Sequence, residues 1–259
     1  MTRFILSLLA WHACLAAAAQ TPPAKQINDQ QQVWLSVNST IRLSHRWGTI
    51  ADVHVRRNNF LANPSFYFVR GGASYWLHDN LSIVAGYAHM WLAPPQPGLH
   101  TFSDENRLYE QVIYTSTLGK VGILNRFRDE HRWRETITGD RSTGSYTYSN
   151  RLRYLLSLGI PLSAKPHFPQ ISFANEVLIQ FGRSVIFNTF DQVRLFGGIR
   201  QNIGKGWSYD LGYMLVYQQK AGGYQYDRNH TLRLFFYYTL DARRGKRGVT
   251  GPPMMFEDE

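Results

Sequence analysis

Residues Asn125 to Glu135 read NRFRDEHRWRE. Taken every second residue, one register holds Arg126, Arg128, Glu130, Arg132 and Arg134, and the other holds Phe127, Asp129, His131 and Trp133. Alone, the stretch fits a nucleic-acid footprint, an exposed helix laced with ion pairs, or a strand with one face of arginines around a glutamate. Successive side chains of a strand point to opposite faces, so only the third reading separates the two sets cleanly. The flanking chain decides between them.

The period of two continues on both sides. In NRLRYLLSLGI, Leu152, Tyr154, Leu156, Leu158 and Ile160 oppose Arg151, Arg153 and Ser157. In WSYDLGYMLVYQQ, Trp207, Tyr209, Leu211, Tyr213, Leu215 and Tyr217 oppose Asp210, Gly212 and Gln218. In TIADVHVRR, Ala51, Val53 and Val55 oppose Asp52, His54 and Arg56, and Val33 to Leu43 repeats the pattern. Six further segments follow it more loosely: 65–77, 81–92, 105–118, 171–182, 189–200 and 230–240. On a helix these apolar residues would spread around the axis, whereas on strands they share a face.

The connections alternate in length. They are tight around residues 45–47, 78–80, 119–120 and 204–206, and longer at 58–64, 93–104, 136–144 and 220–229. A meander with short turns at one end and long loops at the other is the pattern of outer-membrane barrels. Trp34, Trp47, Trp76, Trp91, Trp133, Trp207 and Tyr238 sit near segment ends, where interfacial girdles are expected. A soluble barrel would turn its apolar face inward and its charges to water; these apolar faces are long enough to cross a bilayer at about 9 to 11 residues per strand. The pattern therefore predicts an all-β chain: a single antiparallel, transmembrane, up-and-down β-barrel. Eleven segments are visible, while single-chain bacterial barrels are even-numbered, so 10 to 12 strands are expected.

The ends fit that location. MTRFILSLLAWHACLAAAAQ has a base at Arg3, an apolar run and small residues up to Ala19, the layout of a cleaved secretory signal peptide over residues 1–19. An N-terminal segment (20–31), the barrel (32–240) and a flexible tail (241–259) with bases at Arg243, Arg244, Lys246 and Arg247 complete the expected organisation. Cys14 is the single cysteine and lies in the signal, so the mature chain is expected to carry no disulfide and no thiolate chemistry. The formal charge of +10 comes from 22 Arg and 6 Lys against 18 acidic residues. Such a bias to arginine fits forked pairing with carboxylate or phosphate in partly dehydrated places better than simple surface charge.

The segments RWGTIADVHVRRN, ENRLYEQ, FRDEHRW, RLRYLLSLGIPL, DQVRLFGGI and LGYMLVYQQ resemble, in order and spacing, the domain-of-unknown-function family 2490, predicted outer-membrane barrels of Bacteroidota type. The resemblance covers about Val33 to Tyr238 and implies a fold and a location in the bacterial outer membrane, with no activity to carry over. It also implies lipid, lipopolysaccharide and the barrel assembly machinery as partners.

With apolar faces outward, the opposite stripes meet in the lumen. The expected charge network is Asp52, Arg56, Glu105, Arg107, Arg126, Arg128, Glu130, Arg132, Arg134, Arg151, Arg153, Glu176, Arg194 and Asp210. It reads either as a polar core that sets register and plugs the barrel, or as a narrow anion-favouring channel or binding barrel for a small anionic solute. Glu110 and Asp129 are misfits, since alternation puts both on the outward side. A lipid-modifying hydrolase at the rim is the alternative. Known barrel lipases place Ser two residues after His, yet His54, His89, His131 and His230 are followed there by Arg56, Trp91, Trp133 and Leu232. Catalysis is therefore not expected, and local spacing assembles no metal-ligand set and calls for no cofactor. A secreted chain also meets little nucleic acid, so no nucleic-acid partner is expected.

Overall fold

The computed structural model describes residues 23–165 and 168–243. The expected signal peptide, Cys14, and the tail beyond residue 243 lie outside the described residues. Eleven strands follow one another: β1 (Gln26–Arg42), β2 (Trp47–Asn58), β3 (Asn63–His78), β4 (Leu81–Leu92), β5 (Ser103–Leu118), β6 (Val121–Thr138), β7 (Arg141–Pro161), β8 (Gln170–Phe181), β9 (Phe190–Gly204), β10 (Trp207–Gln219) and β11 (Gln225–Asp241). Each pairs antiparallel with the next, and β1 closes on β11, so the sheet is a barrel without free edges. Closure gives each strand a partner on both sides along the shared part of the ladder, the device by which a barrel removes its edges.

The seam corrects the expectation of a wholly antiparallel sheet. In a closed meander each strand reverses its predecessor, so an even count brings first and last strands together antiparallel and an odd count brings them together parallel. With eleven strands β1 and β11 run parallel, in register from Gln26↔Gln225 to Arg42↔Asp241. The start of β1 therefore lies at the long-loop mouth and the end of β11 at the tight-turn mouth. β1 also begins at Gln26, inside the segment expected to precede the barrel.

Two expected loops are shorter than the sequence suggests. Strands β6 and β7 extend far beyond their neighbours and meet at Gly139 and Asp140, both with positive φ (57° and 58°). Two consecutive left-handed residues define the type I′ hairpin turn, whose twist matches that of the strands. Likewise β11 takes up Gln225 onward, leaving 220–224 as the connection. Conversely, β7 ends at Pro161 and β8 begins only at Gln170 at the tight-turn end, so the length alternation is incomplete.

Outward positions are apolar: Val53, Leu108, Phe127, Tyr154, Phe173, Leu195 and Tyr213 are all exposed. Trp47, Trp91 and Trp207 are exposed as expected for girdles, but Trp34 and Trp76 are buried. Both share parity with polar neighbours, Trp34 with Ser36 and Asn38, Trp76 with Arg70 and Ser74, and so face the lumen. Ile50, Val84, Ile113, Leu124, Leu155, Phe196, Met214 and Phe235 belong to an apolar cluster there that runs from near the tight turns at Ile50, Val84 and Leu124 to Trp34 and Val216 near the long-loop mouth. Tyr109 reaches this space because its wall is glycine: a Cβ on Gly86 would lie 2.6 Å from the Tyr109 hydroxyl and 2.3 Å from the Gly71 carbonyl oxygen.

Candidate functional site

The stripe of β6 becomes a site because β5 and β7 lay matching charges beside it. Their registers place Arg132 opposite Arg107, Arg128 opposite Arg153 and Glu130 opposite Arg151. Glu130 is the hub. Arg153 Nη1 donates to its Oε1 at 2.7 Å and Arg151 Nε to its Oε2 at 2.8 Å, while Arg128 and Arg107 stand 3.5 and 3.7 Å away. Glu176 on β8 accepts from Arg126 (2.6 Å), Arg153 (2.9 Å) and Arg194 (3.0 Å). Glu105 accepts from Arg107 Nε at 2.6 Å and Arg132 Nε at 2.8 Å. Each carboxylate is thus shared by two or more guanidinium groups, so positive charge is in excess. The planar arginine fork lets one residue bridge two carboxylates, as Arg153 does between Glu130 and Glu176.

The layer is dry at its centre: Arg126 and Arg128 are 0% exposed. Above it, toward the long-loop mouth, lies a cavity of about 330 Å³. Arg56, Arg107, Arg132, Arg134, Arg151, Arg194 and Lys220 line it, against the carboxylates of Glu105 and Asp227. The lumen is therefore a cup, floored by the ion-pair layer and by the apolar cluster behind it.

Not every expected residue joins this layer. Arg134 is exposed at the mouth of the cup. Arg56 stacks its guanidinium 3.3 Å over the Trp34 ring and 4.4 Å over Phe66. Asp52 and Asp210, expected to share the space of Glu130, belong to separate clusters. Asp52 is bonded by its β3 neighbour Arg70. Asp210 accepts from Arg200 Nε at 2.6 Å and from Arg233 Nη2 at 3.2 Å. Cross-strand neighbours capture these aspartates before the short side chains can reach the β6 stripe.

Sequence reading missed Arg70, Gln111, Asp191, Arg200 and Arg233. Parity could have found Arg200, which shares the face of Arg194. Arg233 is masked by the run Phe235–Tyr238, which hides alternation, and Asp191 was out of reach. Counting back from Arg194 puts Asp191 outside, but the ladder slips where Ile179 pairs Phe190 and Leu178 pairs Gln192. The extra residue is turned inward, where Asp191 accepts from Arg151 Nη1 at 3.0 Å. A β-bulge re-aims a side chain in this way.

On the outer wall, Glu110 and Asp129 are direct cross-strand partners, and their carboxyl oxygens lie within 4.8 Å of each other and of a His131 ring nitrogen. The spacing within either strand does not reveal this grouping, because it is made across β5 and β6. Like charges directly opposite are unfavourable, and His131 Nε2 stands 3.8 Å from Glu110 and 4.0 Å from Asp129. At the mouth, the Asp140 carboxylate accepts from the backbone N–H of Thr101 (2.8 Å) and His100 (2.9 Å), clasping the 93–102 loop to the β6–β7 turn. Those amide bonds hold the Asp140 carboxyl below its ordinary value of 3.8.

Fold and site together define a closed all-β barrel whose lumen is built from arginine–carboxylate pairs. A family model described as "Protein of unknown function (DUF2490)" matches residues 31–230, and the chain belongs to that family. No curated protein and no solved structure matches the chain.

Proposed function

We propose that this protein is a bacterial outer-membrane barrel whose lumen is a binding cup for a small anionic solute, open at the long-loop mouth and closed below. Binding, and not catalysis, is the role proposed. The observation that carries the reading is where the charge lies. Most strand arginines and carboxylates point into the lumen while Leu, Val, Phe and Tyr point out around the wall, where Glu110 and Asp129 beside His131 are a charged exception. Monomers in water rarely expose contiguous apolar patches beyond a few hundred Å², so this wall favours lipid as its neighbour. The leading apolar segment supports export, with the assembly machinery and outer-membrane lipid, including lipopolysaccharide, as its partners.

The basic excess around the cup favours anions by complementarity and by focusing of the field between low-dielectric walls. The dry layer at Arg126 and Arg128 favours binding over conduction. Recording from pure refolded protein in planar bilayers tests both halves. The expected result is stable insertion without conductance steps. Steps with anion selectivity would replace the cup by a channel, and a soluble monomer that ignores bilayers would remove the membrane reading.

A further inference from the structure

The cup is not uniformly basic. Its guanidinium groups come from β5, β6, β7 and β9, on one side of the barrel. Beside them, next to β5, the lining is apolar: Phe66 on β3 and Leu92 on β4 pack on Met90, and Pro94 and Pro95 continue the surface up the loop after β4, while Gln30, Gln32, Asn58 and Asn229 line the far side on β1, β2 and β11. Arg56 stands at the border, stacked on Trp34 and Phe66, so that one charge is delivered along an aromatic face. The cavity of about 330 Å³ would hold about ten waters at roughly 30 Å³ each. A lone inorganic anion would leave most of it, and all of the apolar side, in contact with water.

We propose that the cup takes an amphipathic anion: a carboxylate or phosphate monoester head held by Arg107, Arg132, Arg151 and Arg194, with an aromatic or aliphatic body against Phe66, Leu92 and Pro94. This rests on the reading of the lumen as an anion cup and deepens it. The head meets fork-shaped donors suited to two oxygens at once. The body covers apolar surface that an inorganic ion cannot reach.

The test uses the full chain refolded in detergent and titrated with phenyl phosphate, inorganic phosphate and benzyl alcohol, read by calorimetry and by tryptophan fluorescence, to which Trp34 beside the cup contributes. Phenyl phosphate is expected to bind at least about ten-fold tighter than inorganic phosphate, the ratio that burying roughly 55 Å² of apolar surface yields. Benzyl alcohol is expected not to bind. Phe66→Ala should bring the ratio of phenyl phosphate to inorganic phosphate affinity most of the way from about ten to one, and Leu92→Ser should do the same if Phe66→Ala fails to fold. Equal affinity for the two phosphates overturns the two-sided cup but leaves the anion cup standing. Binding of benzyl alcohol alone, or of none of the three, overturns both.

Discussion

Replacing Glu130 by Gln removes the one negative charge that four guanidinium groups share, while keeping the shape of the side chain. Arg151 and Arg153 touch it at hydrogen-bond distance. At an effective dielectric constant of about 20, a pair of unit charges near 4 Å is worth about 4 kcal/mol, so two contacts represent roughly 8 kcal/mol gross. Desolvation of the carboxylate, several kcal/mol, offsets part of this. The net cost expected for Glu130→Gln is about 3–5 kcal/mol, the range for breaking a buried pair from one side, because the arginines then repel one another. The assay is urea unfolding of the refolded barrel in vesicles, followed by tryptophan fluorescence and by gel mobility before and after heating. The midpoint should fall with the slope unchanged. Adding Arg128→Gln to Glu130→Gln should recover part of the loss, since a buried cation that stands 3.5 Å from Glu130 leaves with it. Asp79→Asn, which breaks the exposed pair with Arg42, is the control and should cost below about 1 kcal/mol. A midpoint for Glu130→Gln indistinguishable from the parent would refute the claim that this layer holds the barrel together.

Gly86→Ala should destabilise the barrel by about 1–3 kcal/mol, because the new methyl meets the Gly71 carbonyl oxygen and the Tyr109 hydroxyl; the same urea midpoint reads it, and a neutral result would show that the wall yields there. The Asp140 clasp depends on an ionised carboxylate whose folded-state value is lowered, so its stabilisation is present above 3.8 and lost as pH falls through the lower folded value. Protection factors at the His100 and Thr101 amides, taken against the intrinsic rate at each pH, should be high at neutral pH and fall below that range, and Asp140→Gly, which keeps the positive φ but has no acceptor, should lower them throughout; protection that persists in the variant would show that the clasp does not hold the loop. Cysteines placed at Ala24 and Ala242 should react with a membrane-impermeant reagent from opposite faces of a vesicle, since an odd strand count puts these positions at opposite mouths. Labelling of both from one face would rule out the parallel seam.

Much of the site was legible because alternation is local. The pleat sends Arg126, Arg128, Glu130 and Arg132 to one side whatever the rest of the chain does, and Arg151, Arg153, Glu176 and Arg194 follow by the same count. Where the pleat is interrupted, the count fails. Asp191 enters the lumen through a bulge that depends on how β8 meets β9, and no window within β9 contains that information.

The sequence by itself determined the element type, the number of strand-like segments and the faces, because each depends on residues only a few positions apart. The tertiary structure decided the rest. It decided that eleven strands close through a parallel seam, that Asp52 and Asp210 turn to Arg70 and Arg200 and not to the arginines of the β6 stripe, and that the apolar residues of β3 and β4 lie beside the arginines of the cup. Those outcomes depend on which strands become neighbours and in what register, and the long-range pairing of β1 with β11 completes that arrangement only when the barrel closes.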